Sequence, residues 1–248
     1  MPLVHDEEKQ LVRRAVWEAL DTAGAVHDET AHGRIPNFVG AEAAARRLAE
    51  LDIWKTASVV KSVPDKAQLP VRSLALKAGK LVYMAVPKLA TRQPFYLLDP
   101  RKLSAPHDIA ASSKHAATVA PTVDVDQLLP IDVIVLGSVA VNRAGVRIGK
   151  GAGYSDLEFA LLAEAGLIRP DTVVITTVHS LQVIDGSIPA TDHDVNVDLV
   201  VTPDEVIECT TPHRPAGILW DHLDEEKISS IPTLLARSRS RTEDPQCS

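Results

Sequence analysis

At 248 residues, with 45% hydrophobic and 24% charged residues, the chain is long enough to bury a full core and has an ordinary globular composition. Its net charge of −7 excludes a nucleic acid or an anionic membrane surface as the main partner, because either needs a basic face. Two cysteines, Cys209 and Cys247, make no disulfide framework, no apolar run approaches the ~18 residues a bilayer requires, and the acidic start "MPLVHDEEKQ" lacks a signal-peptide core, so a cytoplasmic protein is expected.

In chain order, residues 6–24 read as a helix: Leu11, Val12, Ala15, Val16, Ala19 and Leu20 recur at helical spacing and Gly24 stops it. "AHGRIPNFVG" (31–40) is a loop, and "AEAAARRLAEL" (41–51) consists of good helix formers. Aliphatic and β-branched runs at 57–63, 80–86, 131–141, 172–178 and 198–202 predict strands, with helices at 67–78 and 155–165. Strands apolar on both faces that alternate with helices predict a mostly parallel sheet, so the fold class is α/β, an open layered sheet. Residues 101–127 are polar and irregular, carry His107 and His115, and read as a surface excursion. "ARSRSRTEDPQCS" (236–248) has almost no apolar content and reads as a disordered tail after a single domain of residues 1–235. Its short Arg-Ser alternation, without an aromatic platform, reads as solvated rather than RNA-binding.

Three of the 12 glycines, Gly149, Gly151 and Gly153, fall within five positions of "GVRIGKGAGYSDLEFALL" (145–162), beside Arg147 and Lys150. The order is strand, glycines, helix. Ser155 and Glu158 fit a capping box that starts the helix after Tyr154, and Gly166 fits its C-terminal cap. Glycines let a backbone approach a ligand and gather N–H groups into one concavity, and a helix N-terminus adds partial positive charge. With two cations, that chemistry suits a polyphosphate. The spacing G-x-G-x-G is neither a dinucleotide fingerprint nor a Walker loop, and a flexible turn with solvated cations fits it equally. Asp156 suits the first turn of any helix, or a bridging Mg²⁺ if phosphates lie there.

Other residues carry weaker signals. His179 ends a strand at the edge where α/β sheets bind ligands, or is satisfied by a loop carbonyl. Lys61, Asp65, Lys66 and Arg72 follow another strand end and suit a substrate anion or an ordinary charged loop. "DHD" (192–194) has too few ligands for structural zinc. Trp17, Trp54 and Trp220 read as core or half-buried residues.

"RIGKGAGYSD" resembles the signature R-L-G-x-G-x-G-Y-Y-D of the 5-formyltetrahydrofolate cyclo-ligase family. "PATDHDVNVDLVVTPDEVI" (189–207) is similar to that family's closing motif P-x-x-x-H-D, V-D and final strand, and "TVVITTVHSLQVID" links the two. "GRIPNFVGAEAAARRL" and "VKSVPDKAQLPVR" resemble its divergent cyclo-ligase-like subgroup, and the resemblance covers residues 9–208. It implies an open three-layer αβα fold, NagB/RpiA/CoA-transferase-like, and the ATP- and Mg²⁺-dependent conversion of 5-formyltetrahydrofolate to 5,10-methenyltetrahydrofolate. In that reaction the formyl oxygen takes the γ-phosphoryl group, N10 attacks the activated carbon, and phosphate leaves. Carried over by position, Arg147 and Lys150 would hold the triphosphate, and Gly149, Gly151, Ala152 and Gly153 would line it. Tyr154 would stand between ATP and substrate, and Asp156 and Asp194 would hold Mg²⁺. Lys9 and Arg13 match K-x-x-x-R on one helical face, where they reach phosphates or are simply solvated. Ser155 replaces the family's second tyrosine, Ala152 a frequent glycine or lysine, and "VPDKAQLPVR" stands where the folate segment is expected. These departures leave two further readings: a cyclo-ligase-like enzyme for another heterocyclic or N-formyl metabolite, and a non-catalytic nucleotide-binding protein. The expected partner is a small molecule, and the expected state a monomer or small homo-oligomer.

Overall fold

The computed structural model describes residues 2–210 and 213–243. Helix α1 (Pro2–Thr22) leads through a loop to α2 (Ala41–Ala49) and the short α3 (Asp52–Thr56). Strand β1 (Val59–Ser62), helix α4 (Leu69–Lys77), β2 (Leu81–Ala85) and β3 (Phe95–Leu98) follow. Next come α5 (His107–Ala110), α6 (Ser113–Val119), β4 (Thr122–Val123), β5 (Ile131–Leu136), β6 (Ala140–Asn142) and β7 (Arg147–Ile148). Helix α7 (Tyr154–Glu164), β8 (Ile168–Thr177), β9 (Val183–Ile184), β10 (Leu199–Val201) and β11 (Val206–Glu208) precede α8 (Glu225–Ser230) and α9 (Pro232–Glu243).

The five aliphatic runs predicted as strands form the parallel centre of an eight-stranded sheet, ordered β11-β10-β8-β5-β1-β2-β3-β4. Both edges are antiparallel: β11 pairs with β10, β3 with β2, and β4 with β3. Successive residues of β5 serve opposite faces: Ile134 and Leu136 enter one core with α7 and Leu234 of α9. Val133 and Val135 enter the other, with α2, α4, Ala110 and Ala116. Helices therefore cover both faces. A third core joins Val16, Trp17 and Leu20 of α1 to Val139, Ala140 and Ile148 around a small sheet ordered β7-β6-β9. That third core fixes α1 beside the glycine loop.

Four expectations are corrected. The run 131–141 is two strands, because the chain leaves the large sheet at Gly137 and Ser138 and β6 joins the small one. Residues 101–127 are not a surface excursion, since Ala110, Ala111, Ala116 and Val125 are fully buried. Small side chains anchor that segment, so its average polarity hid the packing. Over 236–243 the expected disordered tail is instead the last eight residues of the twelve-residue α9, seated by Ile231 and Leu234, which are 1% and 0% exposed. Residues 244–248 lie outside the described residues. Finally, α7 begins without the Ser155–Glu158 box, for a reason that belongs to the site. Among the described residues no helix is long and apolar enough to cross a membrane.

Candidate nucleotide and substrate site

Helix α7 begins at Tyr154 with Gly153 as its N-cap in the left-handed region (φ 69°), and no side chain caps it. Glu158 cannot serve as a cap because it is buried against the sheet, ion-paired to Lys61 of β1. A fully buried lysine requires a counter-charge, and that need outweighs the gain from a capping box of about 1 kcal/mol. Burial pushes the Glu158 carboxyl up, with Lys61 pulling against it. First-turn amides of α7 thus keep donors for an anion. At Gly151 (φ 105°), an added Cβ would stand 3.5 Å from the Arg13 guanidinium.

Lys9 and Arg13 are not solvated: they are 7% and 5% exposed. Lys9 Nζ donates to Asp194 Oδ2 at 2.6 Å, and Arg13 Nε to the Gly149 carbonyl at 2.8 Å. Burial lowers the Arg13 pKa, opposed by Asp6 and Asp194. Asp194 also accepts from the Thr191 N–H and hydroxyl. Burial raises its pKa, but the bonds from Lys9 and Thr191 prevail and the net shift is downward. Arg147, 2% exposed, donates through one terminal nitrogen to Asp156 Oδ1 at 2.8 Å, and its buried Nε has no partner. The Val195 N–H donates to the same Asp156 oxygen. Arg147 thus orients Asp156, while Lys150 stands exposed at the rim.

Three cavities meet at Gly153 and Asp156. The first, about 110 Å³, carries both signs of charge: Lys9 and Arg13 line it together with Asp6, Asp156 and Asp194, beside Gly149 and Gly151. A second, about 280 Å³, lies across the loop, with Asp65, Lys88, Lys150, Tyr154 and Glu158 on its walls. The third, about 120 Å³, is mostly apolar and is closed by residues 215–227. Asp156 and Asp194 share this first cavity, and the bonds described above engage one oxygen of each. Two carboxylates suit Mg²⁺ if phosphate and water complete its octahedron. Among the described residues no group of three or more His, Cys, Asp or Glu could hold a metal alone.

Two features escaped the sequence. Lys227 of α8 donates to the Ala152 carbonyl at 3.1 Å and sits 4.0 Å from the centre of the Tyr154 ring. Lys88, which lines the large cavity, is a non-glycine residue in the left-handed region (φ 60°), as is its buried neighbour Leu89 (φ 51°), and such backbone stores strain of about 1–3 kcal/mol per residue. Neither has a local signal, because partners 75 positions apart define one and tertiary packing the other.

The remaining candidates are structural. Arg72 is buried and donates to the carbonyls of Ala111, Val63, Asp65 and Pro64, its pKa lowered to about 10 by burial. Lys66 pairs with Asp28. Of the four charges near that strand end, Asp65 lines the large cavity; burial raises its pKa against the pull of Lys150 and Arg72. His179 Nδ1 accepts from the Leu181 N–H, so it caps a turn rather than donating to a loop carbonyl. Trp17 and Trp54 are buried and Trp220 is half-buried.

Comparison with known proteins agrees with this architecture. The chain is 37% identical over 235 residues to the methenyltetrahydrofolate synthase domain-containing protein of Mus musculus, covering 91% of this chain and 62% of the relative. The Homo sapiens protein of the same name is 36% identical over 235 residues, with 91% and 60% covered. The chain thus spans about three fifths of the length of these relatives. In three dimensions it aligns with 5,10-methenyltetrahydrofolate synthetase of Aquifex aeolicus at a TM-score of 0.52 and 19% identity, over 84% of this chain and 94% of the other, which shows a shared fold. Residues 5–203 match the profile of the 5-formyltetrahydrofolate cyclo-ligase family, and the chain belongs to that family.

Proposed function

We propose that the chain is an ATP- and Mg²⁺-dependent cyclo-ligase that converts 5-formyltetrahydrofolate to 5,10-methenyltetrahydrofolate. The observation that carries this reading is the meeting, at Gly153 and Asp156, of a larger cavity with one that sets Lys9 and Arg13 beside the carboxylates Asp156 and Asp194. That geometry lets a phosphoryl donor and an acceptor face each other across a glycine loop. ATP bound there supplies the phosphoryl group that turns a formyl oxygen into a leaving group.

The chain's own part is to bind, orient and neutralise charge. In this reading Lys9, Arg13 and the amides of Gly151–Gly153 hold the phosphates, with Lys150 at the rim. Asp156, oriented by Arg147, and Asp194, held by Lys9 and Thr191, would bind Mg²⁺. Tyr154 lines the large cavity, its ring steadied by Lys227. The large cavity takes the folate, and Lys88 offers a cation to its anionic end. From the acidic charge balance and low cysteine count we also infer a cytoplasmic location.

The test is turnover by the purified chain, following the methenyl product by its near-ultraviolet absorbance with ATP and Mg²⁺ present. Product formation that falls about 10–100-fold in ATP affinity for Lys150→Ala, at unchanged thermal stability, supports the reading. ATP binding with no product from the folate would move it to another N-formyl or heterocyclic substrate. Absence of both would remove it.

A further inference from the structure

The third cavity has no part in the chemistry above. Its walls are Leu157 and Ala160 of α7 and Ile218, Leu219 and Leu223 of the C-terminal segment, which lies beyond the family match. The polar side chains among its lining are those of Asp156, His193, His222 and Lys227. The two histidine rings are perpendicular, with centres 5.9 Å apart. Gly153, Asp156 and His193 line both this cavity and the one that holds Lys9 and Arg13, so the two adjoin. We propose that this cavity receives the purine base of the nucleotide, so that the C-terminal segment completes the nucleotide site. The proposal rests on the nucleotide reading given above.

Three observations converge on a base rather than a packing fault. A heterocycle suits a mostly apolar pocket with a few hydrogen-bonding groups among its walls, and the lining combines the two. The segment is also held in place. Ile218 and Ile231 are 7% and 1% exposed in the main core, and the Ile218 N–H donates to Glu164 Oε2. The Lys227 bond to the Ala152 carbonyl ties it to the glycine loop itself. Lastly, the alternative occupant, the folate heterocycle, has a larger cavity on the other side of the loop, with Asp65 and Lys88 on its wall. A triphosphate over Gly149–Gly153 then has a base-sized space at one end and the acceptor's space at the other.

Calorimetry with two ligands, Mg·ATP and Mg·tripolyphosphate, tests this on the full chain. Leu219, half-buried on the cavity wall, can be enlarged by Leu219→Trp to fill the space. The expected result is ATP binding weakened about 10-fold or more, with tripolyphosphate binding unchanged. His222→Ala, at an exposed position, is expected to weaken ATP several-fold with the same selectivity, and serves if the tryptophan variant does not fold. Wild-type ATP affinity in both variants would overturn the base assignment while leaving the nucleotide reading in place. Equal loss of both ligands would also overturn it, since the segment would then act on the phosphates. A wild-type chain that binds neither ligand would overturn the nucleotide reading and this proposal together.

Discussion

Arg13 shows how one side chain can be both structural and available. Its Nε bond to the Gly149 carbonyl fixes the glycine loop, and its side chain lines the cavity shared with Lys9, Asp156 and Asp194. Removing a charged donor from a bound anion costs about 1.5–3 kcal/mol, so Arg13→Ala should weaken Mg·ATP about 10–100-fold in a direct titration. Gly151 answers to the same guanidinium. An alanine there must adopt φ near 105°, a strain of about 1–3 kcal/mol. Gly151→Ala should therefore lower the melting temperature and nucleotide affinity together, whereas a loop of merely flexible glycines would lose neither. Lys227 behaves differently. Its contacts with Ala152 and the Tyr154 ring are partly exposed, and such cation–π contacts are worth about 0.5–1 kcal/mol. Lys227→Met should leave the melting temperature nearly unchanged and raise the KM for ATP, and Lys227→Arg should restore it.

At the scale of elements, the Lys61–Glu158 pair couples β1 to α7 beneath the large cavity. Breaking a buried pair from one side leaves an uncompensated charge and costs about 3–5 kcal/mol, while replacing both partners with apolar residues of similar volume is often neutral. Lys61→Met alone should thus destabilise strongly in denaturant titration, and Lys61→Met with Glu158→Leu should recover most of the loss. Asp132 on β5 gives the acid dependence. Burial raises its pKa, but bonds from the Val59 and Ser58 N–H groups and Arg169 outweigh it, leaving the carboxyl below its ordinary value of 3.8. A depressed pKa stabilises the fold above the unfolded value and ceases to do so as pH falls through the folded one. Unfolding midpoints should therefore drop below about pH 4, and Asp132→Asn should flatten that drop while lowering stability at pH 7 by about 1–3 kcal/mol.

For the whole molecule, what could be read in the sequence divides by range. Five parallel strands were legible because each is buried on both faces and so is nearly continuous in aliphatic residues. The antiparallel strand β3, "FYLL", next to the edge strand β4, was not, because Pro94 and Pro100 fence its run on both sides. Helices α5 and α6 were hidden by their alanine anchors, and α9 by its Arg-Ser surface over Ile231 and Leu234. In the site, the glycine loop and its flanking motifs were visible because they are local. The burial of Lys9 and Arg13, the binding of Asp156 by Arg147, the pairing of Glu158 with Lys61 and the reach of Lys227 were not, since each depends on residues brought together across the chain. The approach of α1 to the loop is itself a product of the third core.

The account turns on whether a magnesium nucleotide is held by α1 and the glycine loop together. Isothermal titration of Mg·ATP into the wild-type chain and into Arg13→Ala addresses it directly. A saturable, roughly micromolar isotherm for the wild type, about 8 kcal/mol of binding, that weakens at least tenfold in the variant is the expected result. No heat from the wild type, or equal affinity in both proteins, would contradict it.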